Sequence, residues 1–235
     1  MNFDNARVWL TGASSGIGEA LVPALIGAGA RLAITARRAD RLEQLALAHG
    51  RHDRPVLVLP GDVTDREAML AIVGTIEDAW GGLDLALLNA GAGKGVTVRD
   101  FSAKAFRSTM DVNFFGVLHG IEAVLPGMMA RRAGRIAGVA SLAGYRSGPG
   151  LAGYGTSKAA LIHALDSLRF GLAPFGIGVT VINPGFVRTP MTAVNRYWMP
   201  AMIEADTAAR IIVGGLRRDK KEIHFPIRLS WTLKV

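Results

Sequence analysis

The 235-residue chain has no cysteine, which rules out a disulfide framework and a thiolate nucleophile. No metal site is expected either. Tyrosine is scarce, three residues against twenty-nine glycines. That balance points to tight turns and close backbone approach, not to an aromatic-rich binding surface. The N-terminus lacks a basic flank leading into a long apolar run, so no signal peptide is expected. The most apolar stretch, residues 114–130, is interrupted by His119, Glu122 and Pro126, too short and too polar for an integral membrane segment. The expectation is a soluble, cytoplasmic protein. Acidic residues are outnumbered 19 to 27, and the net charge is +8. Basic residues gather at 31–54, 131–135 and 217–221 without any nucleic-acid module signature. No nucleic-acid partner is expected, and the clusters read as solvated surface with positive charge available to a phosphorylated ligand.

What is present is an alternation of strand and helix. Residues 7–11, 31–36, 55–59, 85–88, 135–140, 178–182 and 222–225 read as strands. Residues 16–28, 40–48, 65–80, 104–130, 151–173 and 204–217 read as helices, the long one carrying Phe114, Val117, Leu118, Ile121 and Leu125 at helical spacing. Such alternation implies an α/β fold, a doubly wound parallel sheet of about seven strands with helices on both faces. The length fits one domain spanning residues 1–235. Pro23 lies inside the first helix and predicts a kink or local adjustment. The tail, residues 225–235, mixes Trp231 with Arg228 and Lys234 and reads as a packed terminal segment, ahead of a membrane-surface or partner contact.

Directly after the first strand, residues 11–18 read TGASSGIG. Gly12 allows a sharp exit from the strand, and Gly16 and Gly18 leave room for a pyrophosphate and for close helix–strand packing. Ser14, Ser15 and Ile17 complete the turn, and the helix N-terminus offers N–H groups to phosphates. An acidic residue about 20 positions later would grip the ribose hydroxyls of NAD. Ala36, Arg37 and Arg38 stand there instead, and arginine suits a 2′-phosphate. NADP(H) is therefore the expected cofactor. Asp62 and Val63, just past the third strand, are expected at the adenine.

Tyr154 is followed four residues later by Lys158, on the same helical face. A free phenol ionises near pH ~10. A fixed ammonium nearby favours the phenolate, which makes the pair a candidate general acid and base.

With these residues in place, the chain resembles the compact single-domain branch of the short-chain dehydrogenase/reductase family. The resemblance runs from about residue 7 to 192. It rests on motifs in family order: TGASSGIG, Asp62–Val63, Asn89–Ala90–Gly91, Asn113, Ser141, Tyr154 with Lys158, and Pro184–Gly185 with Thr189. It implies a Rossmann-like fold and hydride exchange between a nicotinamide and a carbonyl or secondary alcohol. It further implies that Asn89, Ala90 and Gly91 support the sheet and the adenine ribose. Ser141 would hold the substrate oxygen and Tyr154 exchange the proton. Lys158 would hold the nicotinamide ribose, and Asn113 position a water linking Lys158 to solvent. Pro184, Gly185, Val187 and Thr189 would seat the nicotinamide end. Leu88 stands where the family usually has a second asparagine, which puts one structural hydrogen bond in question. A homodimer or homotetramer built through the long helices, 104–130 and 151–173, is also implied.

Residues 186–207 are expected to cover the substrate. Met191, Tyr197, Trp198, Met199 and Met202 within them fit either an apolar small-molecule ligand or ordinary core packing. Tyr145 and Arg146 are expected to face the substrate. A non-catalytic NADP-binding sensor or scaffold is the alternative, although such a protein has no need of the Ser–Tyr–Lys set. A nucleotide-sugar epimerase needs a larger C-terminal domain than the residues after Thr189 provide.

Overall fold

Apolar runs at β1 (Arg7–Thr11), β2 (Arg31–Thr35) and β4 (Leu85–Leu88) are buried at every position after the first. Strands buried on both sides need helices on both sides, and parallel βαβ crossovers supply them. The computed structural model describes residues 1–93, 99, 101–146, 148–195 and 198–234. In it these strands join β3 (Leu57–Val58), β5 (Gly134–Val139), β6 (Ile177–Pro184) and β9 (Glu222–Phe225) in one parallel sheet. Two short strands, β7 (Val187–Arg188) and β8 (Ile203–Glu204), pair outside it. The order across the main sheet is β3-β2-β1-β4-β5-β6-β9. The chain winds one way from β1 and the other way from β4, so their carboxyl ends border the crevice where such sheets take ligands.

Helices α1 (Gly16–Gly27), α2 (Ala39–His49) and α8 (Ala205–Arg217) cover one face, with Leu21, Leu25, Ile212 and Leu216 packed on Val8, Leu10 and Ile34. Helices α3 (Arg66–Trp80), α5 (Gly116–Arg131) and α6 (Ala152–Leu172) cover the other, with Met69, Ile76, Val124 and Leu165 packed on Trp9, Ala86 and Ile136. Trp9 is fully buried, and its indole N–H donates to Thr35 Oγ1 at 2.9 Å, which satisfies the one polar atom it carries inward.

Three expectations change in detail. The long helical region is not one regular helix. It divides into α4 (Ala103–Met110), a π turn over Asp111–Phe115, and α5. Among the described residues the whole run Ala103–Arg131 is apolar and long enough to cross a membrane, yet Val117, Ile121, Val124 and Met128 lie buried against the sheet. Pro23 does not interrupt α1. It is exposed, so water can take the Glu19 carbonyl that its missing N–H leaves open. The tail forms α9 (Ile227–Lys234), of which only part packs: Ser230 is buried, while Ile227 and Trp231 are exposed. A small helix, α7 (Pro190–Ala193), follows β7.

Candidate active site

The turn after β1 is built from glycines because no other residue fits. Gly12 and Gly16 have positive φ, 68° and 60°. A Cβ on Gly18 would lie 2.1 Å from Gly12 O, so α1 packs against the turn only without a side chain there. Ser15 caps α1 through its backbone and makes no side-chain capping bond, leaving the first N–H groups of the helix for a ligand. Gly12, Ser14, Ser15, Gly16, Ile17 and Gly18 together form one wall of a cleft of about 400 Å³.

The end of β2 supplies the next wall. Arg38 donates to Ser14 O at 2.8 Å and to Ser14 Oγ at 3.1 Å, which ties it to the glycine turn. Arg37 is 78 % exposed, with Nη1 3.8 Å from Asp62 Oδ2. Asp62 and Val63 line the same end of the cleft. Val63 packs on Gly116, and its carbonyl meets His119 Nδ1 at 2.9 Å.

At the end of β4, Asn89 Nδ2 donates to Thr11 O and Gly12 O at 3.1 and 3.2 Å. The backbone N–H groups of Asn89 and Ala90 both donate to Thr11 Oγ1. Thus a single asparagine and a threonine join β4 to the glycine turn. Leu88, in place of a second asparagine, is buried over Gly120, where a Cβ would come within 2.7 Å of it. Asn89, Ala90 and Gly91 line the cleft.

Asn113 lies in the π turn, fully buried, and does not line the cleft. Its Oδ1 accepts from Ala92 N at 2.7 Å, and its Nδ2 donates to Ala92 O at 2.9 Å and Ser157 Oγ at 3.0 Å. The Asn113 side chain is therefore engaged on the backbone after β4 and on α6. Ser157 is the site residue that sequence reasoning missed. Its hydroxyl also donates to Tyr154 O at 2.7 Å, linking the π turn to α6. Its place next to Lys158 on the Tyr154 helix is the signal that was available.

Ser141, Tyr154 and Lys158 converge on the far end of the cleft. Ser141 Oγ accepts from Ala143 N at 3.1 Å and donates to Pro184 O at 3.4 Å. Lys158 is 3 % exposed; Nζ donates to Val139 O at 2.8 Å and lies 5.8 Å from the Tyr154 ring centroid. Burial pushes the Lys158 ammonium down from 10.5 to about 8. Pro184, Gly185, Val187 and Thr189 close this end. Thr189 caps α7 reciprocally with Thr192, and its Cγ2 is 3.0 Å from the Cβ position of Gly16.

Within 186–207, Met191 lines the cleft, whereas Trp198 is 85 % exposed. Tyr197 lies outside the described residues. Tyr145 and Arg146 do not line the cleft as expected. Tyr145 donates to Glu222, and Arg146 is exposed.

A long nucleotide fits this groove. The groove runs from two arginines, past a turn where side chains are excluded, to a buried ammonium. The molecule is thus a dinucleotide-type α/β protein with Tyr154 and the buried Lys158 side by side at one end of its cleft. Residues 6–200 match the family model for short chain dehydrogenase, and the chain belongs to that family of oxidoreductases. An uncharacterised oxidoreductase from Myxococcus xanthus is 38 % identical over 98 % of this chain and 90 % of its own length. A short-chain dehydrogenase/reductase from Burkholderia phymatum, solved with NAD, superposes with a TM-score of 0.91 at 22 % identity, covering 100 % of this chain and 93 % of its own. An alcohol dehydrogenase from Thermococcus sibiricus, solved with 5-hydroxy-NADP, superposes at 0.85 with 24 % identity over 94 % of this chain and 96 % of its own. At these identities the two structures speak to the fold.

Proposed function

We propose that the protein is an NADP(H)-dependent oxidoreductase acting on a carbonyl or secondary alcohol of an apolar small molecule. The observation that carries this reading is Lys158, an ammonium buried beside the Tyr154 ring in the same cleft as the glycine turn. Removing a cation from water is costly. At pH 7 an amine of pKa about 8 nevertheless stays mostly charged. That charge favours the anion left when Tyr154 gives up its proton.

The chain's own residues divide the work. The glycine turn and the α1 N-terminus hold the pyrophosphate, and Arg37 and Arg38 the 2′-phosphate. Asp62, Val63 and Asn89–Gly91 border the adenosine. Lys158 takes the nicotinamide ribose, with Pro184, Gly185, Val187 and Thr189 at the nicotinamide. When bound, the cofactor supplies or accepts the hydride. Ser141 turns its hydroxyl from Pro184 O toward the substrate oxygen, steadying negative charge there. Tyr154 Oη gives that oxygen its proton, or removes it in the reverse direction. Asn113 acts by holding Ala92 and Ser157. Residues 186–207 cover the substrate, with Met191 against the cleft supporting an apolar ligand. Assembly as a homodimer or homotetramer belongs to this reading, supported by exposed Phe115 and Phe170 on the two long helical regions.

The test is Tyr154→Phe, assayed with NADPH and a panel of ketones and aldehydes. Turnover should fall about 10²–10⁴-fold, while NADPH fluorescence titration stays unchanged. Near-wild-type turnover in the variant sinks the assignment. A wild-type protein that binds NADPH but reduces nothing in a broad panel is the sensor instead.

A further inference from the structure

After Ser141 the chain makes one 3₁₀ turn, Leu142–Gly144, and reaches Tyr145. The Tyr145 hydroxyl meets Asn183 of β6 and Glu222 of the edge strand β9. Asn183 Nδ2 donates to Tyr145 Oη at 2.7 Å and to Glu222 Oε1 at 3.0 Å. Tyr145 donates to the same Glu222 oxygen. Donors and acceptors match: one phenol and two amide hydrogens meet lone pairs on two oxygens. Left over is Asn183 Oδ1, the buried side-chain acceptor that finds no protein partner among the described residues. A buried acceptor left open is costly, so what the amide nitrogen gains must hold the side chain in place.

The neighbours of this cluster all border the reacting end. Asn183 immediately precedes Pro184, whose carbonyl takes the Ser141 hydroxyl. Gly185 N donates to Phe225 O at 2.7 Å, three residues beyond Glu222 on the same strand. The serine segment and the Pro184–Gly185 segment therefore both hang on β9, one through Tyr145–Glu222 and the other through Gly185–Phe225. We propose that Tyr145, Asn183 and Glu222 are positioning residues, a polar clasp that sets Ser141 against Pro184–Gly185 and so places the substrate oxygen. This rests on the reading of Ser141 as the group that holds that oxygen.

Tyr145→Phe and Glu222→Leu each open the clasp, from opposite sides. Each should lower kcat/KM for the carbonyl substrate about 10–100-fold, the cost of a small misplacement, with NADPH affinity unchanged. The double variant should be no worse than either single one, because both remove the same tie. Glu222→Gln keeps the accepting oxygen and should restore most of the activity. A merely structural role predicts instead a lower melting temperature with no kinetic loss specific to the carbonyl substrate. Kinetic constants within twofold of wild type in both opened variants overturn the clasp. Amide hydrogen exchange gives a readout independent of turnover: residues 142–145 should exchange faster in Tyr145→Phe and in Glu222→Leu. Unchanged exchange there overturns the proposal even if the wild type reduces no carbonyl, an outcome that by itself counts only against the oxidoreductase reading. Should Tyr145→Phe fail to fold, Glu222→Leu reads the same contact from the strand side.

Discussion

Lys158 carries a cost in the folded state that can be measured. Its ammonium is depressed from 10.5 to about 8 by burial, equivalent to about 3 kcal/mol of stability forgone at pH 7. The sign follows from linkage. Between pH 8 and 10.5 the unfolded chain keeps the proton that the folded chain releases, so the stability contribution rises with pH across that window and is flat below it. Lys158→Met fills the same space without the charge. It should raise the unfolding free energy at pH 7 by up to about 3 kcal/mol, abolish turnover, and remove that part of the rise between pH 8 and 10. Urea denaturation of both proteins at pH 7 and pH 10 checks this. A variant less stable than wild type, with the same pH dependence, contradicts it. Tyr154, Lys158 and Ser141 were legible in the sequence because their residue types and spacings carry chemistry by themselves. Ser157 and Glu222 were not, because a serine and a glutamate acquire their roles only from what the π turn, β6 and the turn after Ser141 bring beside them.

The π turn at Asp111–Phe115 shows the same limit for an element. Apolar spacing announces a helix over 104–130 and cannot announce one wider turn within it, since the pattern resumes on the far side. The wider turn holds Asn113, whose amide joins the backbone after β4 to Ser157 and through it to the Tyr154 carbonyl. Three elements are thereby held in register around the candidate proton donor. Ser157→Ala removes the bridge but leaves Asn113 its two bonds to Ala92. It should cost about 1–3 kcal/mol of stability, the price of one buried hydrogen-bonded group, and lower kcat about tenfold with little change in NADPH affinity. Calorimetry alongside steady-state kinetics reads both. Wild-type kcat in a folded Ser157→Ala protein contradicts the bridge. The glycine turn, by contrast, was readable in full, because positive φ at Gly12 and Gly16 and the 2.1 Å approach at Gly18 exclude other residues.

Over the whole molecule the excess of positive charge, +8, is uneven. Arg37 stands 78 % exposed at the mouth of the cleft, and Arg38 is fixed on Ser14 just inside it. Clefts edged by one sign of charge concentrate ligands of the other, and salt weakens the effect over a Debye length of about 10 Å at 0.1 M. NADPH carries a phosphate that NADH lacks, so its affinity should fall more steeply with ionic strength. Arg37 is the freer of the two arginines, since its Asp62 contact is long at 3.8 Å and solvated. Arg37→Ala should therefore weaken NADPH binding about 10–100-fold, the value of a charge-assisted hydrogen bond, and leave NADH within about threefold. Fluorescence titrations of both cofactors at 50 and 500 mM salt, with wild type and variant, decide it. Parallel salt curves for the two cofactors, or an equal loss of both in the variant, would show that the arginine pair serves the surface and not the 2′-phosphate. The fold could not have settled this in advance, because proteins that share it were solved with NAD in one case and with 5-hydroxy-NADP in the other. On the proposed reading, any discrimination between the two cofactors would rest on Arg37 and Arg38, two side chains just past the end of β2.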